Sequence, residues 1–317
     1  MVRASPDLTG RVCVVTGASR GIGRCCALAL SKRGASVVLI AKSAGAVVKG
    51  AEGLLSGTVD TVADEIRRAH GTPVLPLQCD LRSEQDIVEA VKKAVKAFGA
   101  IHILVNNASA LWWQDIEDTP TKKFDLIHSI NARGAFLMTR ECLPHMKRAK
   151  YGRVVCMAPP IVSRHSAFSQ KTAYYMSKMG MTMVALGVAA EGRGHNVTAH
   201  SLWPATIVES FASKNFQLGS SKSQWRKADI LADCVVYLAG EPSDYTGNML
   251  IDDEYLVGRC GYTQSDLARY RFDPTVEPPR LLALEASGHN PNWHSDDVTL
   301  RRGDVRKVRE DQARSKL

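Results

Sequence analysis

Val12-Cys13-Val14-Val15-Thr16 runs directly into Gly17-Ala18-Ser19-Arg20-Gly21-Ile22-Gly23, and the reading of this junction decides the fold. A short β-branched run bounded by a Gly-rich turn reads as a buried strand. The stretch that follows, as far as Arg33, reads as a helix. Glycines at such a junction let the backbone approach a phosphate closely. The helix behind them offers N–H groups and the positive end of its dipole. A G-x-x-x-G-x-G cluster alone is a common turn signal, but between a strand and a helix it points to a dinucleotide phosphate. Thr16, Gly17, Ser19, Arg20, Gly21, Ile22 and Gly23 are therefore the candidate cradle residues.

Working outward, the same alternation repeats. SVVLIA (36–41), PVLPLQCD (73–80), IHILVNN (101–107), RVVCMA (153–158), NVTAHSL (196–202) and NMLID (248–252) read as further strands. Helical periodicity covers 61–69, 83–99, about 121–149, 172–191 and 226–240. The helix over 83–99 opens on Ser83, three residues before Asp86, close to a capping-box pattern. Its Ile87, Val91, Ala94, Val95 and Phe98 keep the helical period. Residues 43–57 read as a loop insertion. This order calls for an α/β fold with a doubly wound, Rossmann-type parallel sheet of seven strands. Ligands in such sheets bind at the carboxyl ends of the strands, where the Gly-rich junction lies. The predicted body is a single domain over 8–252, followed by a loop-rich C-terminal tail over 253–317 containing PTVEPPR and GHNPNW.

Composition narrows the function classes. The 317 residues are 45% hydrophobic and 23% charged, which excludes a disordered or collagen-like chain. No apolar run approaches the roughly 18–20 residues that span a bilayer, and MVRASPDLTG lacks the apolar centre of a secretory leader. The eight cysteines are scattered without a CxxC pair or zinc spacing, so reduced thiols and no metal are expected. The net charge of +9 suits anionic ligands or a plain basic surface. Basic residues are not interleaved with stacking aromatics, so no nucleic-acid partner is expected. No GxSxG elbow marks a nucleophilic serine enzyme.

The end of the second strand bears on cofactor choice. An acidic residue there would bind the ribose 2′-hydroxyl of NAD. The chain has Ala41-Lys42, with Arg20 in the Gly-rich turn, and two cations suit a 2′-phosphate, hence NADP(H). Lys42 could also simply face solvent. Asp80, after the third strand, is placed to accept from an adenine amino group or to cap the next helix. Tyr174 and Lys178 lie four apart in Y-Y-M-S-K on a predicted helix, so both side chains share one face. A nearby ammonium stabilises phenolate, which lets a tyrosine exchange a proton with a carbonyl or alcohol oxygen while hydride moves at carbon.

Together, Thr16–Gly23, Asp80, Asn106-Asn107-Ala108-Ser109, Asn131, Tyr174-x3-Lys178 and Pro204 resemble the short-chain dehydrogenase/reductase family over roughly 8–252. The resemblance implies Tyr174 as acid/base, Lys178 also bound to the nicotinamide ribose, and Asn131 holding a water in a proton relay. It places Asn107 and Pro204 at the cofactor, although Asn106 and Asn107 could equally tie strands together. It implies a small-molecule carbonyl or alcohol substrate and a homo-oligomer formed through the helices at 121–149 and 172–191. GTVDTVADEI, DTPTKKFDL, LWPAT and YTGNMLIDDE look closer still to one branch, whose members often carry a lipid-carrier domain that this chain is too short to hold.

One departure matters. The family places a serine after the fifth strand, about 13 residues before the tyrosine, to bond the substrate oxygen. Here Ile161 stands at that spacing, and the strand end reads Cys156-Met157-Ala158-Pro159-Pro160. Ser163 and Ser166 are the nearby candidates for replacement. Two readings follow: an NADPH-dependent oxidoreductase of a lipid-like or acyl substrate, or an NADPH-binding protein with weak or lost catalysis that acts through partner contacts. Trp112 and Trp113 are expected in the substrate cleft, or as packing anchors, with 206–225 as its lid. The chain ends Ser315-Lys316-Leu317, an address read by the peroxisomal import receptor, the equivalent organelle in some protists being the glycosome.

Overall fold

The computed structural model describes residues 2–45, 57–210, 213, 214, 218, 219 and 221–286. Seven strands, β1 (Val12–Thr16), β2 (Ser36–Ala41), β3 (Val74–Gln78), β4 (Ile103–Asn106), β5 (Gly152–Met157), β6 (Val197–Trp203) and β7 (Asn248–Ile251), form one sheet in the order β3-β2-β1-β4-β5-β6-β7. Every neighbouring pair is parallel. The chain winds outward from β1 to β3, then crosses back to lay β4 on the other side of β1. That reversal opens a crevice at the carboxyl ends of β1 and β4.

Strand periodicity sorts side chains to two faces. Cys13, Val15, Val37 and Leu39 pack against α1 (Gly21–Lys32) and α2 (Val59–His70). Val12, Val14, Val38 and Ile40 pack against α3 (Glu84–Phe98), α5 (Gly134–Ala149) and α6 (Thr172–Glu191). Period-two burial on both faces is the reason the strands read as continuous apolar runs. The predicted cap at Ser83 holds: its hydroxyl oxygen accepts from the Asp86 N–H at 3.1 Å, and Gly99 ends the helix at φ 77°.

The helix expected over 121–149 is two helices joined without a break in the winding. α4 (Thr121–His128) leads into a π-helical turn at Ser129–Arg133 and then into α5. Such a turn inserts a residue without altering the apolar period on either side, so the pattern does not reveal it.

The reading of 253–317 as a loop-rich tail needs correction over 253–286, and its remainder lies outside the described residues. After α7 (Asp229–Ala239), the chain forms α8 (Asp252–Cys260), α9 (Gln264–Leu267) and α10 (Leu281–Ala286). Tyr255, Leu256, Cys260, Tyr262, Leu267 and Tyr270 are buried in the same core as α1 and α7. The period is hidden because these elements are short and half of the named anchors are tyrosines. Within this region Arg226, 1% exposed, joins Asp253 at 3.1 Å and Glu277 at 2.8 Å.

All eight cysteines are free, and all but Cys25 are buried. No described helix is long and apolar enough to cross a membrane, and no described cluster could hold a metal ion. Part of the 43–57 insertion and the terminal Ser315-Lys316-Leu317 lie outside the described residues.

If α8 belongs to the body, Leu256→Ala, at a fully buried position, will lower unfolding free energy by about 2–5 kcal/mol in a denaturant titration. A loss within about 0.5 kcal/mol, typical of a surface site, would show that the body ends before it.

Candidate active site

A cavity of about 480 Å³ occupies the crevice at the strand ends. Gly17, Ser19, Arg20, Gly21 and Ile22 line one end, and Met157, Tyr174, Lys178 and Pro204 line the other. Asn107, Ala108 and Ser109 lie between. Of the residues singled out by sequence, Thr16, Gly23 and Asn131 do not line the cavity; they shape it from behind.

The Gly-rich turn is held by the turn after β4. The Thr16 hydroxyl donates to the Val105 carbonyl at 3.2 Å, and its oxygen accepts from the N–H groups of Asn107 and Ala108 at 3.0 and 3.1 Å. The Asn107 amide donates to the carbonyls of Thr16 and Gly17 at 2.9 and 3.3 Å. Gly17 sits at φ +66°, and a β-carbon there would lie 2.8 Å from Asn107 Nδ2. A β-carbon at Gly23 would lie 2.3 Å from the Gly17 carbonyl oxygen. Asn107 thus both ties the two turns and walls the cavity. Asn106 is a tie alone, its amide donating to the Thr139 hydroxyl at 2.9 Å. Gly21 and Ile22, the first residues of α1, line the cavity, and Arg20 supplies no side-chain cap to that helix. The cradle therefore keeps a helix N-terminus at the cavity.

Beside the cradle, Lys42 Nζ lies 3.7 Å from Asp80 Oδ2. Arg82 grips the same carboxylate through Nε at 2.9 and 3.0 Å and through Nη2. These bonds from Arg82 hold Asp80 down at about 2, so it is ionised at neutral pH. Arg20, Lys42, Asp80 and Arg82 all line this end of the cavity. Arg82 was missed from the sequence, where it reads as an ordinary turn residue. Its signal was the Asp80-x-Arg82 spacing, because the Arg82 N–H also donates to Asp80 Oδ1 at 3.1 Å.

At the far end, α6 presents Tyr174 and Lys178 one turn apart. Both are buried, at 7% and 3% exposure. Lys178 Nζ donates to the Met157 carbonyl at 2.6 Å and lies 6.0 Å from the Tyr174 ring centre. Burial pulls its pKa down to about 7. The Trp113 ring meets Tyr174 nearly edge-on at 6.2 Å. Asn131, in the π-helical turn, is fully buried. Its Oδ1 accepts from the Ala110 N–H at 2.8 Å, and its amide donates to the Ala110 carbonyl at 3.0 Å and the Ser177 hydroxyl at 2.9 Å. It fastens the loop after β4 to α6, where Ser177 donates in turn to the Tyr174 carbonyl at 2.7 Å.

The strand end lacking the serine is tightly held. The Ala158 N–H donates to Leu202 at 3.0 Å, and the Thr182 hydroxyl donates to the Pro159 carbonyl at 2.6 Å. Ser163 is exposed and Ser166 half-buried, and neither lines the cavity. Neither residue therefore replaces the absent hydroxyl in this geometry. Trp113 does line the cavity, whereas Trp112 lies outside it with Lys123 Nζ 4.6 Å from its ring centre. From the expected lid, Ile207, Val208, Ser210, Ser213 and Leu218 line the cavity. Leu282, from the region read as tail, lines it too and had no sequence signal beyond being apolar.

Comparison with known proteins agrees with this geometry. Residues 11–218 match the family model for short chain dehydrogenase. Hydroxysteroid dehydrogenase-like protein 2 of Bos taurus is 41% identical over 256 residues, covering 81% of this chain and 60% of that protein. The Homo sapiens protein of the same name is 41% identical over 302 residues, covering 92% and 70%. The chain thus spans only about three-fifths of the Bos taurus relative. A putative dehydrogenase from Xanthomonas campestris superposes with a TM-score of 0.80 at 37% identity, covering 87% of this chain and 98% of that one. A metagenomic short-chain oxidoreductase solved with NADP superposes at 0.62 with 27% identity, covering 78% and 99%. The chain belongs to the short-chain dehydrogenase family, oxidoreductases that use nicotinamide cofactors.

Proposed function

We propose that the chain is an NADP(H)-dependent oxidoreductase that moves hydride to or from the carbonyl or alcohol carbon of a lipid-like or acyl substrate, with Tyr174 as the acid/base. The observation that carries this reading is a single cavity lined at one end by the cradle with Arg20, Lys42 and Arg82, and at the other by Tyr174 and Lys178. The residues fit the cofactor. Gly17 and Gly23 have no room for a β-carbon against Asn107, Ala108 and the Gly17 carbonyl, so the turn is held in one place at the cavity floor. The uncapped start of α1 suits a pyrophosphate, and the cations beside it suit a 2′-phosphate. Asp80 is held ionised and is available to an adenine amino group. Bound there, the dinucleotide supplies the hydride. Tyr174 holds or takes the proton at the substrate oxygen. Lys178, close to neutral affinity for its own proton, sets the charge beside that phenol. Asn131 acts as a positioning residue, because its side chain binds Ala110 and Ser177 rather than reaching the cavity. The aromatic and aliphatic lining around Trp113 and Ile207 favours an apolar substrate.

The second reading, a cofactor-binding protein with weak or lost catalysis, draws on Ala158 and on the distance of Ser163 and Ser166 from the cavity lining. A missing donor at a reacting oxygen can lower rates by about 10²–10³.

One assay separates the two. NADPH oxidation is followed against ketones, 3-oxoacyl thioesters and 2-enoyl thioesters, with NADH beside it. The first reading expects turnover that falls at least about 10²-fold in Tyr174→Phe with NADPH binding retained. It also expects the preference for NADPH over NADH to shrink roughly tenfold in Arg20→Ala/Lys42→Ala, as loss of a charge-assisted contact implies. NADPH binding with no turnover on any carbonyl would put the second reading first.

We also propose a homo-oligomer built on α5 and α6, supported by Phe136, Met176 and Met183 exposed on those helices. Light scattering should read a multiple of 34.6 kDa; a monomer mass would sink the proposal. Import into peroxisomes or glycosomes rests on Ser315-Lys316-Leu317 alone. A fluorescent protein fused ahead of the intact chain should become punctate with a peroxisomal marker. Removing the three residues should make it diffuse, and identical distributions for both would refute the address.

A further inference from the structure

We infer that Leu282, carried on a C-terminal strap beyond the family-matched stretch, is a specificity-determining residue that sets the reach of an apolar substrate arm in the cavity. The inference rests on the reading above that the end of the cavity around Trp113 receives an apolar substrate.

The strap is fixed at its backbone. Ala205, just after β6, donates its N–H to Asp252 Oδ1 at 2.8 Å. Its carbonyl accepts from the N–H groups of Leu282 and Ala283 at 3.0 and 3.1 Å. Ala205, which directly follows the cavity-lining Pro204, is thereby held from two sides, by α8 and by the strap. The strap is also anchored by charge. Arg280 donates to both oxygens of Asp253 at 2.9 Å and to Glu254 at 2.6 Å. Asp253 is simultaneously bound by the buried Arg226, which reaches Glu277 at the start of the strap. Asp253 and Arg226 at the centre of this network are buried, while Arg280, Glu254 and Glu277 at its rim remain partly exposed.

Between these anchors Leu282 faces apolar company. It packs against an apolar cluster that includes Trp113, Tyr174, Tyr175, Trp203 and Ile207, and it lines the same cavity as Tyr174. A carbonyl held at Tyr174 would therefore extend its remaining carbons along a wall that includes Leu282. Each methylene that leaves water against such a wall strengthens binding roughly fourfold. A larger side chain at 282 would shorten the arm without touching the phosphate cradle at the opposite end.

The test uses the full chain saturated with NADP⁺ and reads binding by calorimetry, with 2-butanone and 2-nonanone as probes. Wild type is expected to bind 2-nonanone at least tenfold more tightly than 2-butanone. Leu282→Trp is expected to weaken 2-nonanone at least tenfold while 2-butanone and NADP⁺ stay within twofold. Arg280→Gln frees the anchor and leaves the cavity lining intact; it is expected to weaken 2-nonanone at least threefold. The inference is overturned if wild type binds the two ketones alike, or if both variants bind 2-nonanone as wild type does. Should Leu282→Trp lose NADP⁺ as well, Arg280→Gln decides alone by the same criterion. Tight, variant-sensitive binding of 2-nonanone without NADPH turnover would count against the oxidoreductase reading and leave the role of Leu282 standing.

Discussion

The turns after β1 and β4 lock together at a crossing too close for a side chain. Thr16 accepts from the N–H groups of Asn107 and Ala108, Asn107 donates back to Thr16 and Gly17, and Gly23 packs on the Gly17 carbonyl. Adjacent parallel strands part at this point because the chain reverses its winding direction. The gap they leave is the cavity. Without the lock, the crevice would have no fixed floor and the start of α1 no fixed aim.

From that floor the site extends by two kinds of interaction. On the cradle side it is electrostatic: Lys42 and Arg82 share the Asp80 carboxylate, and Arg20 lines the same end of the cavity. On the α6 side it is dominated by burial. Lys178 is removed from water with the Met157 carbonyl as its oxygen partner, which opposes the charged form and brings the group towards neutrality. A lysine placed this way disfavours folding in its charged form, and such placements concentrate at functional sites. The π-helical turn serves the same end, setting Asn131 where it can join Ala110 to Ser177 beneath Tyr174.

Much of this was legible in the sequence, and the residues show why. VCVVT followed by a glycine cluster fixes a strand, a turn and a helix through local sterics, so β1, α1 and the cradle could be read directly. Helical spacing puts Tyr174 and Lys178 on one face of α6, and the family resemblance singles them out as a site. Arg82 carried only the local Asp80-x-Arg82 spacing as a signal, while the sharing of that carboxylate with Lys42 across the β2–β3 edge is not encoded locally. Leu282 and Tyr255 could not be read because their partners are remote in sequence: Ala205 for the one, the shared core of α1 and α7 for the other. The chemistry of the missing serine could be suspected, yet whether Ser163 or Ser166 reaches inward is a matter of loop path, which no periodicity encodes.

The central claim is that one cavity aligns a 2′-phosphate at Arg20 and Lys42 with chemistry at Tyr174 and Lys178. A crystal structure of the full chain with NADP⁺ tests it most directly. The account predicts the 2′-phosphate in ion-pair reach of Arg20 and Lys42, the pyrophosphate on the first turn of α1, and a ribose hydroxyl on Lys178 Nζ. A 2′-phosphate turned to solvent, or a nicotinamide ring held away from Tyr174, would contradict it.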